Sequence, residues 1–276
     1  MSVSEFPNQV IATRRWDRIS TRVSAWRIVC CLILTFLLLP VALIVLLSFS
    51  PNRFMALPLS GGSLEWWAEF WTTERWLHSL GNSAFVGLCA TAIATTLGTM
   101  AAIGLKALNS RPAAVLRAIC AFPIITPTVV FAVSAYVSYA PIGLANSYLG
   151  LIVTHAAISA PIVLITVSGV LEGYDENLTR AALSLGASPR QAFVKIVLPL
   201  TLPGLLAGSF FALAISLDEV VISGMLAGPQ QKTLPLELFA GLRDGASPVM
   251  AVAATILVAT SILFTLVLEL LKRRNQ

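Results

Sequence analysis

Long apolar runs separated by short polar interruptions make up most of the chain, and their lengths predict what each one is. Residues 28–49 form the first run, close to the roughly 20 residues that a helix needs to cross a bilayer core. A second opens at Gly81, Asn82 and Ser83 and reaches about Leu105; it is rich in Ala, Gly and Thr, small residues that let helices approach closely inside a bundle. The third, from Ala118 to Tyr139, contains Pro123 and Pro127, which interrupt the backbone hydrogen-bond ladder near its start. Such breaks are tolerated in a bilayer where protein or a water-filled cavity satisfies the freed groups. The fourth covers Ser147 to Leu171 and includes His155 and Pro161, the fifth begins at Pro199 or Pro203 and ends near Met225, and the sixth is Pro248 to Leu270. The pattern predicts an all-α, polytopic membrane protein with six transmembrane helices.

The interruptions divide the chain further. Residues 1–27 are a polar tail, and a cleaved signal peptide is disfavoured because the apolar core after it exceeds the roughly 7 to 15 residues of such a segment. Residues 50–79 leave the membrane through Ser50–Asn52 and Ser60–Gly62, then place Trp66, Trp67, Trp71 and Trp76 beside Glu65, Glu69 and Glu74. That composition suits an interfacial helix with its indoles at headgroup level, an aromatic belt rather than a grip on a partner. Residues 80–271 hold the remaining five spans, with a loop carrying Lys232, Pro235, Arg243 and Asp244 before the last; residues 272–276 form the closing tail.

The most polar interruption within that five-span region is 172–199. Asp175, Glu176 and Asn177 favour a helix start, Ala181, Ala182 and Leu185 continue it, and Gly186 stops it. Ser188 can cap a second helix opened by Pro189. The segment therefore reads as a compact helix-turn-helix elbow outside the bilayer.

Composition strengthens the membrane reading: 57% of residues are hydrophobic, only 11% are charged, and the mean hydropathy is +0.85. The net charge of +5 comes from short basic clusters between apolar spans, the pattern of orientation signals rather than of nucleic-acid binding. Fourteen of the basic residues fall on the side of the termini and of the elbow, and only Arg53, Arg75, Lys232 and Arg243 on the other. The positive-inside rule then puts both termini and the elbow in the cytoplasm of a bacterial (inner) membrane protein.

Candidate chemistry is sparse. Cys30, Cys31, Cys89 and Cys120 lie in apolar runs without metal-ligand spacing and read as packing residues. His155 reads as a histidine hydrogen-bonded to a neighbouring helix, with a role lining a path as the alternative. Asp218 and Glu219 are the one acidic pair inside an expected span, roughly 28 Å along a helix begun at Pro199 and thus towards the outer half. Intramembrane carboxylates are costly and are functional candidates by default. One is expected to face a pathway and meet a cationic substrate while the other pairs with a neighbouring helix or a partner subunit; the alternative has both holding helices together. No phosphate-binding loop is present, nor a His-Glu-x-x-His run or a nucleophile–base constellation, so an enzyme reading is poor and no cofactor is expected in this chain.

The elbow resembles the motif of type I ABC importer permeases, Glu-Ala-Ala followed by Gly and then by Ile-x-Leu-Pro. Ala181, Ala182, Gly186, Ile196, Leu198 and Pro199 fall at the matching places, and Arg180 stands where the family has an acidic residue. The resemblance spans roughly 64–270 and implies the type I transmembrane fold. It also implies docking of the elbow in a cleft of an ATP-binding subunit, one of a pair that hold ATP and Mg, together with a second permease and an extracytoplasmic binding protein that delivers a small solute. A further run, Ser216 to Ser223, Gly228–Pro229, Thr233 to Leu236, Arg243 and Gly245 to Pro248, is similar to the polyamine-type permeases of spermidine and putrescine import. The rival reading is a self-sufficient secondary transporter or channel, which inverted repeats with broken helices in corresponding halves would favour.

Overall fold

The structure, a computed structural model, describes residues 9–53, 61–108, 111–245 and 247–274. Residues 1–8 of the polar tail, Ser60 of the expected exit, Ala246 and the last two residues of the closing tail lie outside the described residues. Among those described, the chain is helical, with five helices long and apolar enough to cross a membrane and a sixth, bent pair.

Helix α1 (Gln9–Leu47) carries the first span as Trp26–Leu47 and packs along α12 (Pro248–Arg274), the last span. None of its apolar span is buried. The centre of the molecule is built instead by α3 (Glu74–Leu108), α6 (Tyr148–Glu172) and α9 (Leu198–Asp218). Small residues allow this. A Cβ added at Gly98 would stand 2.7 Å from both the Ala160 carbonyl oxygen and the Val163 Cβ, and one at Gly204 would stand 2.8 Å from the Val170 side chain. The Thr95 and Ser209 hydroxyls, 3.0 Å apart, join α3 to α9 inside that contact.

Five expectations need correction. The second span does not open at Gly81: α3 starts at Glu74 and runs through Gly81, Asn82 and Ser83 without a break, because those polar groups find partners on other elements. The third span is two helices, α4 (Arg111–Ile125) and α5 (Thr128–Tyr139), meeting at 99°. Pro127 has no N–H to continue the ladder and holds an extended-type ψ of 128°, which turns the chain. The fifth span starts earlier than Pro199, since α8 (Pro189–Ala192) passes through a π-helical turn, Phe193–Val197, directly into α9. A widened turn accommodates the absent Pro199 N–H, and the Thr201 hydroxyl donates to the Val197 carbonyl at 2.9 Å.

That same span also ends earlier than expected, at Asp218, and the short α10 (Val221–Leu226) follows. Residues 234–244, expected as loop, form α11 (Leu234–Asp244). Its buried Glu237 ties it to Arg75 at 3.1 Å, on the first turn of α3.

The tryptophans divide. In α2 (Glu65–Thr72), Trp66 and Phe70 face inward with Trp76 of α3, packing on Leu234, Val249, Met250 and Val252. Trp66 Nε1 also donates to the Ser50 carbonyl at 2.8 Å. Of these four tryptophans, Trp71 alone is exposed as a belt residue would be, and Trp67 is half-buried. At a helical period, positions 66 and 70 fall on the one face that the protein covers.

The cysteines are free; Cys31 and Cys120 are exposed, and Cys89 packs against the central cluster, so the packing role holds for Cys89 alone among these three.

Candidate functional site

The elbow is assembled by local backbone chemistry. Helix α7 (Glu176–Ser184) is capped by Asp175, whose carboxylate accepts from the Asn177 N–H at 2.9 Å. It closes on Gly186 at φ +90°, where the Ala187 N–H donates to the Ala182 carbonyl and the Gly186 N–H to the Leu183 carbonyl, both at 3.0 Å. This pair of bonds is the Schellman arrangement, and it requires a residue that accepts a left-handed conformation. Ser188 then opens α8 with reciprocal bonds: its Oγ accepts from the Gln191 N–H at 3.3 Å, and its own N–H donates to Gln191 Oε1 at 2.9 Å. The expected stop, turn and restart are all present.

Of the expected docking residues, Arg180, Ala181 and Gly186 are exposed and Ala182 is half-buried; Ile196 lies in the π-helical turn, and Leu198 and Pro199 open α9. Leu178, Leu183, Leu185, Phe193 and Val194 add an exposed apolar surface to the same elbow. Arg180 pairs with Glu176 at 3.5 Å, one helical turn earlier. An acidic group is therefore present on this helix, displaced by a turn from the motif position.

One residue that sequence reading passed over fastens the elbow to the bundle. Lys106, at the end of α3, donates through Nζ to the Leu171 carbonyl at 2.6 Å and lies 4.9 Å from the Tyr174 ring centre and 3.9 Å from the Glu176 carboxylate. It caps the last turn of α6 as a cation at a helix C-terminus should. The one available sequence signal is its place as the first charge after a long apolar run. Around it lies a cleft of about 510 Å³ lined by Arg117, Ser168, Glu172, Tyr174 and Asp175 among others.

The acidic pair is not arranged as two neighbours on one continuous helix. Asp218 ends α9 and is exposed, the one charged group lining a groove of about 550 Å³ between α9 and α12. Glu219 lies beyond the helix end, and its Oε1 accepts from the Val221 and Ile222 N–H groups at 2.8 and 2.9 Å. From the position before the N-cap residue Val220 it thus satisfies the first two free N–H groups of α10, a structural duty that its pairing with a carboxylate neighbour did not foretell. His155 is fully buried and bonded to neighbouring elements as expected, through Ser216 and Ser223.

At the end opposite the elbow, Asn82 joins three elements. Its Nδ2 donates to the Gln230 and Lys232 carbonyls, both at 2.9 Å, and its Oδ1 accepts from the Tyr148 hydroxyl at 2.8 Å. Ser83 adds a bond from the Leu234 N–H at 2.7 Å.

The described residues thus form a bundle of apolar helices with a preformed polar elbow at one end. The family of binding-protein-dependent transport system inner membrane components matches residues 94–276, and the chain belongs to it. It is 28% identical to the spermidine/putrescine transport system permease protein PotC of Haemophilus influenzae, over 87% of this chain and 93% of that one. It is 29% identical to the putrescine transport system permease protein PotI of Escherichia coli K12, over 85% and 86%. In fold it is similar to a permease chain of a bacterial ABC transporter for import of the acidic polysaccharide alginate, at TM-score 0.67 and 18% identity, covering 98% of this chain and 99% of that one. The protein is a multi-pass inner-membrane permease subunit of an ABC importer with the type I fold.

Proposed function

We propose that this chain forms half of the translocation pathway for a polyamine or a related small cation, beside a second permease, with the elbow in the cytoplasm. The observation that carries the reading is the elbow's geometry: two capped helices whose second member continues unbroken into the α9 span. One of two separate ATP-binding subunits, which hold ATP and Mg, docks there, and the closure of that pair is transmitted along α9 because a continuous helix carries displacement without a hinge. The clustering of basic residues at the elbow end supports its cytoplasmic side. An extracytoplasmic binding protein delivers the solute at the opposite end, near α2 and α11.

The names of the PotC and PotI relatives support a polyamine. So does exposed Asp218, an anion at the outer end of α9 suited to an ammonium group. The test is uptake of labelled putrescine and spermidine by the chain reconstituted with its partner subunits and binding protein. ATP-dependent accumulation is expected; accumulation by this chain alone, without ATP-binding subunits, overturns the reading.

A further inference from the structure

The chain breaks where the fifth span ends: α9 stops at Asp218, Glu219 and Val220 leave the helix, and α10 starts at Val221. A break of this kind frees backbone groups and gives the two pieces independent directions unless other groups fix them. Two devices act on it. Glu219 accepts from the first N–H groups of α10 from within the break, as described above, but it holds only the second piece. The other device reaches across. His155, on α6 and fully buried, places Nδ1 2.8 Å from the Ser216 hydroxyl on α9 and Nε2 3.4 Å from the Ser223 hydroxyl on α10. The Ser223 hydroxyl donates in turn to the Glu219 carbonyl at 3.0 Å, closing the chain of bonds onto the break itself. Ser216 and Ser223 are buried too, so these polar groups have little recourse to water.

We infer that His155 is a positioning residue that clamps α9 to α10 across the break and thereby sets the direction of Asp218 at the groove between α9 and α12. Imidazole suits the task because its two nitrogens point apart and engage one hydroxyl on each side; an apolar side chain of the same size removes the Ser216 hydroxyl's partner and leaves Ser223 only its bond to the Glu219 carbonyl. The consequence for transport rests on the importer reading, but the clamp itself does not.

The experiment separates the two. Spin labels at Leu217 and Met225, in the assembled complex with its four native cysteines replaced, report the distance across the break. The wild-type distribution is expected to be narrow, His155→Leu and the Ser216→Ala/Ser223→Ala pair to broaden it alike, and the triple variant to broaden it no further. His155→Gln, which keeps a donor and an acceptor, is expected to recover much of the narrow distribution. An unchanged distribution in His155→Leu, or serine effects that add independently to it, overturns the clamp whatever the solute. In uptake assays with normally assembled complex, His155→Leu is expected to raise the half-saturating solute concentration about tenfold, the scale of an unpaired buried polar group, with Gln intermediate. A pure loss of maximal rate at unchanged half-saturation overturns the link to Asp218.

Discussion

At the scale of single residues, the polar side chains that tie one helix of this bundle to another act through named partners, whereas the Thr91 and Thr99 hydroxyls and the Trp76 indole N–H are buried without one. Asn82 is the densest case, and its amide supplies both the donors and the acceptor its site demands. Asn82→Ala leaves the Gln230 and Lys232 carbonyls without their shared donor, and about 2 kcal/mol of stability is expected to be lost, read as a fall in the thermal midpoint of the purified protein. Asn82→Asp is expected to cost more, since a carboxylate turned to those carbonyls has nothing to donate. Asp218 and Glu219 separate in the same way. Asp218→Asn is expected to raise the half-saturating concentration of a cationic solute with assembly intact. Glu219→Gln keeps an accepting oxygen for α10 and is expected to be mild, whereas Glu219→Ala removes that acceptor at about 1 kcal/mol. Normal uptake in Asp218→Asn would remove that residue from the pathway.

Elements meet here through glycines and capped ends. Gly98 stands where α3 touches the Ala160 backbone, so Gly98→Ala is expected to destabilise by about 1 to 3 kcal/mol through overpacking. Gly104 lies on the same helix with nothing within 4 Å of an added Cβ; Gly104→Ala is expected to be neutral or to stabilise by up to about 1 kcal/mol. Thermal denaturation of the two variants side by side checks that contact geometry, rather than glycine as such, decides. In the elbow, Gly186→Val forces a β-branched residue into φ +90° and is expected to lower co-purification of the ATP-binding subunit. The Glu176–Arg180 pair yields a sharper expectation: if Glu176 is the acidic group of the docking surface, Glu176→Lys weakens co-purification more than Arg180→Ala does.

For the whole molecule, the elbow has two routes of attachment, the continuous α8–α9 helix and the Lys106 anchor between α3 and the end of α6. Lys106→Met keeps the alkyl stem and removes the charge that caps α6. ATP hydrolysis by the assembled complex is expected to persist while solute uptake falls, an uncoupling visible as a lower ratio of solute moved to ATP hydrolysed. Equal losses in both would assign Lys106 to assembly instead. Helix α1, with its span unburied and packed along α12, lies outside the central contact of α3, α6 and α9.

The sequence by itself determined the membrane class, the approximate positions of the spans and the whole local plan of the elbow. These rest on short-range physics: a run of about 20 apolar residues can be read from length alone, and Asp175, Gly186, Ser188 and Pro189 act on neighbours within four residues. What lies between residues far apart in the chain was decided by tertiary structure. Nothing local marks Asn82 as the partner of Gln230, Lys106 as the cap of α6, or Trp66 and Trp76 as core rather than belt. The break after Asp218 belongs to the same class. An apolar run reads as one helix on to Met225, whereas the bonds around the break come from His155, more than 60 residues away in the chain, to Ser216 and Ser223 as well as from Glu219 to the Val221 and Ile222 N–H groups.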